Sequence, residues 1–389
     1  MVSMNPKKLS VLAIQNIRKF LEGKVDDNLV NDVNFIHYMK YLLVCHGNEK
    51  LQTEAAWIFT NIAAGSTVHT QIVVNADVTP ILINLLSSSN FELVEQCIWA
   101  LGNIIGDSHE YRDLIIQQGI LVPLLSYVRE GLSTSFQRTL VWVFVNLVRC
   151  RECQLSVDIV RDIVPKLCEL ATRRDTPTKI DALWALTFLA DCGDEYIQLM
   201  VETDIVTIVM PMLTSFSQKL QVTAMRFLGN IATGTDLQTQ VILDHGILNN
   251  MRFALMHQNR NLRRVALWCL SNITIGTQDQ AQAVYHSGLL AIIIDNLHHD
   301  DEKIVKEAIL TIRNLINAGS PEQMLEIIDC RAVNLIFNLI MSNDNEIAEA
   351  SRRSLDVLFT KGGRLVQKYT ELYQQMINSN DSSLNYHEV

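Results

Sequence analysis

The 389-residue chain has no apolar run approaching the roughly 20 residues of a membrane helix. Its opening, MVSMNPKKLS, lacks the apolar core of a secretory signal. Glycine and proline are scarce, 16 and 7 residues, beside a 48% hydrophobic content. That balance excludes a disordered chain and predicts a well-packed soluble protein. A basic excess is missing too: the net charge is −10, which argues against a general nucleic-acid binder and is compatible with a basic partner. The eight cysteines lack the dense spacing of a disulfide scaffold and predict reduced, intracellular thiols. No phosphate-binding loop, nucleophile elbow or His/Glu metal motif is present, so neither catalysis nor a cofactor is expected. CREC at 150–153 has a CxxC spacing without a second pair, and His298 and His299 beside Asp300 and Asp301 read as a solvated loop; no metal site is expected from either.

What the chain does have is a repeat. WIFTN begins at Trp57, WALGN at Trp99, WVFVN at Trp142, WALTF at Trp184, RFLGN at Arg226, WCLSN at Trp268 and LTIRN at Leu310. Successive starts differ by 42 or 43 residues, and all five tryptophans of the protein fall in this register. A second marker runs with it: Gly119, Gly246 and Gly288 share a phase, with Ala76, Asp204 and Arg331 in the same place elsewhere. Each unit reads as a short helix, a turn, a second apolar helix, a polar loop such as SSSN at 87–90, and a third helix carrying the Trp/Asn motif. A helical period in the low forties resembles armadillo or HEAT arrays. The expected fold is all-α: a right-handed superhelical solenoid of about nine to ten armadillo repeats, whose units bury their apolar faces against one another. The expected boundaries are a short N-terminal arm over 1–8, a repeat domain over 9–366, and a helix end with a polar tail over 367–389.

Taken singly, a Trp and an Asn four residues apart read as a core aromatic and an internally satisfied amide. Repetition changes the balance. Ile98, Leu101, Ile104 and Ile105 already supply the core side of one third helix, and Val141, Phe144 and Leu147 that of the next. The Trp/Asn phase therefore falls on another side and, across stacked helices, forms an aromatic ladder beside an amide ladder. An amide can donate to and accept from an extended main chain without regard to its sequence. Aromatic walls suit long aliphatic stems, and stems ending in cations gain about 0.5–2 kcal/mol each. Asp107 and Asp191 end two of these helices, and Asp181 and Glu307 lie one turn before Trp184 and Leu310. The pattern calls for an extended peptide rich in Lys and Arg.

WIFTNIAAGS, WALGNIIGD, LGNIATGTDLQTQVILDHG and LWCLSNITIGTQDQAQAV resemble the armadillo domain of importin-α, the adaptor for basic nuclear localisation signals, over about residues 10–360. The resemblance extends to Arg226 in place of Trp and to Phe188, an aromatic in place of Asn. It implies a nuclear import signal receptor that works with importin-β and shuttles between cytoplasm and nucleus, without direct nucleic-acid or membrane binding. It also implies a major signal-binding site at Trp57, Asn61, Trp99, Asn103, Trp142 and Asn146. A lysine pocket would be formed by the Gly65 backbone, Thr70 and Asp107, with support from Gln96, Asp181, Trp184 and Asp191. A minor site would use Arg226, Asn230, Trp268, Asn272, Glu307 and Asn314. Leu310 and Val265 stand where the family pattern has Trp and an acid, so this second site is expected to be weaker. Only Lys7 and Lys8 precede the first repeat, where the family has a long basic segment for importin-β. Either that segment has been removed or the protein lacks it, and in the second case coupling to importin-β is not supported. The alternatives are a cargo-binding relative uncoupled from importin-β, or an adhesion and signalling scaffold of the β-catenin kind that takes acidic ligands.

Overall fold

The computed structural model describes residues 11–45, 47–149, 154–330 and 332–362. The expectations for the arm at 1–8, the CREC pair, Arg331 and the tail from 367 lie outside the described residues. Among the described residues there are helices and no strand, in agreement with the all-α expectation. The chain divides into two compact units, one ending at Cys192 and one beginning at Gly193.

In the first unit the helices are α1 (Val11–Leu21), α2 (Asp27–Val30), α3 (Val33–Leu43), α4 (Glu49–Ala63), α5 (Thr67–Asn75) and α6 (Thr79–Leu85). They continue as α7 (Phe91–Asp107), α8 (His109–Gln117), α9 (Leu121–Ser126), α10 (Thr134–Val148), α11 (Val157–Ala171) and α12 (Thr176–Ala190). In the second unit they are α13 (Asp194–Val201), α14 (Ile205–Val209), α15 (Gln218–Ile231), α16 (Asp236–Asp244), α17 (Leu248–Leu255) and α18 (Arg260–Thr274). The last are α19 (Gln278–His286), α20 (Leu290–Asp295), α21 (Glu302–Ala318), α22 (Pro321–Asp329), α23 (Ala332–Leu339) and α24 (Asn345–Lys361). The third helices of successive repeats stack directly: α1, α4, α7, α10 and α12 in the first unit, and α15, α18, α21 and α24 in the second. Their inward faces are sealed, with Phe59, Ile98, Leu101, Phe144, Phe227 and Ile312 at most 1% exposed. Each such side chain contributes about 1.5–3 kcal/mol by leaving water.

The register of these helices is set at their starts. Asn48, Asn90, Ser133, Asp175, Ser217, Asn259, Asp301 and Asp344 cap α4, α7, α10, α12, α15, α18, α21 and α24, and each side chain accepts a backbone N–H of the first turn. Such a cap contributes about 1 kcal/mol by satisfying a donor that the helix itself leaves open. The ninth residue after each cap is, in order, Trp57, Trp99, Trp142, Trp184, Arg226, Trp268, Leu310 and Arg353. The constant offset places all eight at one level of their helices.

The turn marker needs one correction. Gly119, Gly246 and Gly288 adopt φ of 92°, 77° and 69°, the left-handed conformation that closes a helix at little cost only for glycine. In the preceding repeat that conformation belongs to Asp77, at φ 52°, and not to Ala76, the C-cap of α5 at φ −83°. Asp204 has φ −78° and does not share it. An aspartate tolerates the left-handed region better than most residues because its short side chain can bond locally; Asp77 lies 20 residues after Trp57, as Gly119 does after Trp99, so the repeat keeps its register and Ala76 is one residue early. His298 closes a short 3-10 turn, and Asp301 N–H donates to Nδ1 of the largely buried His299 at 2.9 Å.

Candidate functional site

The asparagines tie neighbouring third helices together. Nδ2 of Asn61, Asn103 and Asn146 donates to the carbonyls of Arg18, Thr60 and Gly102 at 3.2, 3.0 and 3.1 Å. In the second unit Asn272 and Asn314 reach Gly229 and Ser271 at 3.3 and 3.0 Å. A helical carbonyl keeps a second lone pair after its own i+4 bond, and each Asn uses it one helix back. The ladder therefore differs from an array of amides turned wholly to a ligand. One N–H of each is spent on the scaffold, while no described residue donates to Oδ1 of Asn61, Asn103, Asn146 or Asn272. Asn314 is more fully engaged, because Arg313 donates to its Oδ1 at 3.3 Å. Asn230 is buried, at 1% exposure.

The tryptophans are held by the same helices. A Cβ on Gly102 would lie 2.5 Å from Cζ3 of Trp142, and one on Gly229 would lie 2.4 Å from Cζ3 of Trp268. These two glycines exist at a close approach: the indole of the next helix lies where a side chain would be. Trp99 is 44% exposed, whereas Trp57, Trp142, Trp184 and Trp268 are half-buried. Phe188 stands 5.9 Å from the ring of Trp184, centroid to centroid. Two indoles carry a guanidinium from their own chain, Arg18 over Trp57 at 3.8 Å and Arg226 over Trp268 at 4.3 Å.

The acids are less uniform. Asp107 is the last residue of α7, where a negative charge opposes the helix dipole. Its Oδ1 accepts from Thr67 Oγ1 at 3.1 Å, while its Oδ2 is buried with no hydrogen-bond partner. Burial and the nearby Asp175 raise the pKa of Asp181. Asp175 itself is held far below the usual carboxylate range by the bidentate guanidinium of Arg138 and by its cap bonds to Thr178. Asp191 is exposed at the end of α12. In the second unit burial raises the pKa of Glu307, partly offset by Arg264, Lys306 and Arg226 around it. Val265 is buried and Leu310 half-buried.

Three expected contributors are turned to other tasks. Thr70 is 0% exposed and its hydroxyl faces the Ala63 carbonyl at 3.4 Å. Gln96 is buried, with Nε2 on Thr60 Oγ1 at 2.6 Å. Gly65 is exposed, but its lack of a side chain answers to His69, whose Nδ1 would lie 2.3 Å from a Cβ there. His69 fills the capping box of α5, taking the Ser66 N–H on Nδ1 at 3.1 Å and meeting Asp27 through Nε2 at 2.7 Å. Gln238 and Gln280 play that part for α16 and α19, again beside glycines, Gly234 and Gly276. Sequence reasoning also missed Thr67, Glu54 and Arg18. Glu54 was within reach, since it lies one turn before Trp57, as Asp181 does before Trp184.

Two stretches, residues 66–106 and 277–316, match the family described as Armadillo/beta-catenin-like repeat. Among solved structures, an engineered protein aligns over 90% of this chain and 95% of its own, with TM-score 0.75 at 21% identity. A designed armadillo repeat protein aligns over 72% of this chain and 99% of its own, with TM-score 0.50 at 20% identity. The two matched stretches are armadillo-like repeats, and the fold is similar to that of a designed armadillo repeat protein. Part of the chain is also similar in sequence to importin subunit alpha-2 of Arabidopsis thaliana, 41% identical over 133 residues, 34% of this chain and 25% of that protein. Importin subunit alpha-3 of Caenorhabditis elegans is 37% identical over 174 residues, 44% of this chain and 34% of that protein. The matches thus span about a quarter to a third of the length of these curated relatives.

Proposed function

We propose that the rung face of the first unit binds extended Lys- and Arg-rich peptides of the nuclear-localisation type, and that the protein acts as a cargo adaptor for import into the nucleus. One observation carries this reading: at the Trp99 rung an exposed indole stands beside Asn103, and the same helix ends on a carboxylate oxygen buried without a partner. An unpaired buried carboxylate oxygen is costly unless a cationic donor completes it. A lysine stem along the indole, with its ammonium at Asp107 and its backbone at the Asn103 oxygen, would satisfy all three groups. Trp57, Asn61, Trp142, Asn146, Asp181, Trp184 and Asp191 would extend the same contacts along the peptide, with Gly65 bordering the lysine pocket and Thr70 and Gln96 supporting it from within. The similarity to importin-α subunits supports the ligand class, and shuttling between cytoplasm and nucleus follows from the reading. This is binding without catalysis.

The second-unit set, Arg226, Asn230, Trp268, Asn272, Glu307 and Asn314, is proposed as a weaker site. Arg226 already covers Trp268, and Arg313 occupies the Asn314 oxygen. Those arginines, with Arg264, favour the second reading, a scaffold for acidic segments, in that unit. Fluorescence anisotropy with labelled Lys-rich, Glu-rich and neutral peptides of equal length separates the two. Import-type recognition requires the Lys-rich peptide to bind tightest and to weaken steeply with salt. Preference for the Glu-rich peptide would transfer the function to the scaffold reading. Coupling to importin-β is tested separately, by pull-down with the native full-length protein.

A further inference from the structure

Trp57 is the first tryptophan of the ladder, and the helix before it, α1, places Gln15 in the rung register. The α1-side face of Trp57 is nevertheless filled. The Arg18 guanidinium carbon lies 3.8 Å from the ring centroid, and Nε donates to Glu54 Oε2 at 2.9 Å. Its Nη1 pairs with Glu22, and the Arg18 carbonyl receives Asn61 Nδ2 at 3.2 Å. Glu54 is itself fixed by Gln15 Nε2 at 2.8 Å, and the Arg18 side chain is 11% exposed. Arginine, aromatic face and carboxylate thus form the contact that a basic ligand would make, built from the chain itself.

Resting on the reading of the first unit as a basic-peptide site, we propose that Arg18 is a specificity-determining residue that ends the ladder. It closes the fourth gap, on the α1 side of Trp57. Basic side chains are then read only in the three gaps between Trp57, Trp99, Trp142 and Trp184. A further ligand cation at this end meets an ion pair that is already formed, mostly out of water and backed by an aromatic ring, and displacing it would exchange like for like. The closure therefore limits the length of basic run that the protein rewards.

The test compares one Lys-rich peptide with versions carrying one or two additional arginines at either end. In the wild type the extended and parent peptides are expected to bind within twofold of each other. Arg18→Ala exposes Trp57 and leaves Glu54 without its cation, so on this variant a peptide with an arginine added at one end should bind roughly 2- to 30-fold tighter than the parent peptide. If R18A does not fold, the Arg18→Ala/Glu54→Gln double variant removes the unpaired carboxylate and is judged by the same comparison. A wild type that already rewards the extension fivefold overturns the role of Arg18, and so does a folded variant that never does. Either result leaves the first-unit reading standing, provided that the parent peptide binds and that Trp99→Ala weakens it. Failure of the parent peptide to bind overturns the first-unit reading and this proposal with it.

Discussion

Asp107→Asn separates a binding carboxylate from a structural one, because the two roles predict opposite signs for stability and affinity. In the free protein Oδ2 has no partner, and the charge sits at the negative end of α7. Replacing it by an amide keeps the acceptor for Thr67 and removes an unfavourable dipole interaction of about 0.3–1 kcal/mol. The new NH₂ group inherits the unpartnered position, which offsets part of that gain. Stability should therefore be unchanged or raised by less than about 1 kcal/mol. In the complex the same change deletes a charge-assisted hydrogen bond of about 1.5–3 kcal/mol, a loss of about 10- to 150-fold in affinity. Thermal melts with and without a Lys-rich peptide, beside anisotropy titrations, measure both quantities on one sample. Undiminished affinity would refute the lysine pocket at Asp107. A fall in stability of 2 kcal/mol or more would show that the carboxylate serves the fold.

Asp181 supplies a pH signature. Its pKa is raised in the folded state by burial and by Asp175, so the folded protein holds this proton more tightly than the unfolded chain. The group costs stability at neutral pH, and that cost fades as pH falls through the raised value. A ligand cation near it reverses the preference: affinity for a basic peptide should drop as pH falls through the same window, and Asp181→Asn should flatten that drop while raising the neutral-pH melting temperature. Gly102→Ala should destabilise by about 1–3 kcal/mol in denaturant titrations through its collision with Trp142, outweighing the roughly 1 kcal/mol gain in helix propensity. No loss of stability in G102A would show that the indole does not rest there. Asn90→Ala should cost about 0.5–2 kcal/mol in the same titration, with affinity lost only as far as the start of α7 slips.

The fold was legible because a solenoid writes its period into the sequence. Eight caps, each nine residues ahead of a rung position, repeat the same local instruction, and no long-range pairing has to be guessed. The tryptophan rungs were legible for the same reason. What could not be seen is how one helix uses the next. That Asn146 bonds the Gly102 carbonyl, or that Trp142 rests on that glycine, depends on a side chain meeting the backbone of a residue 40 to 44 positions earlier at atomic distance. Thr70 and Gln96 were assigned to the lysine pocket and its support by resemblance alone, which could not show that their side chains are buried against the Ala63 carbonyl and Thr60. The correction from Ala76 to Asp77 has a simpler origin: Asp77 keeps the 20-residue offset from its rung that Gly119 has from Trp99, but without a glycine the residue type does not flag the left-handed turn.

The same contacts join stability to recognition. The amide hydrogen that fixes one helix to the last belongs to the residue whose oxygen is left for a ligand, and the glycine that receives it also seats the next indole. A substitution that loosens the stack should therefore misplace the ladder before it unfolds the protein. Among the described residues, Arg18 and Arg226 are the two places where the chain answers its own aromatic rungs, and they flank the stretch from Trp99 to Trp184 in sequence. Between them, among the described residues, no guanidinium lies over Trp99, Trp142 or Trp184. The pattern of self-occupied and open indoles, more than the number of tryptophans, is what should decide how many basic residues the protein can read.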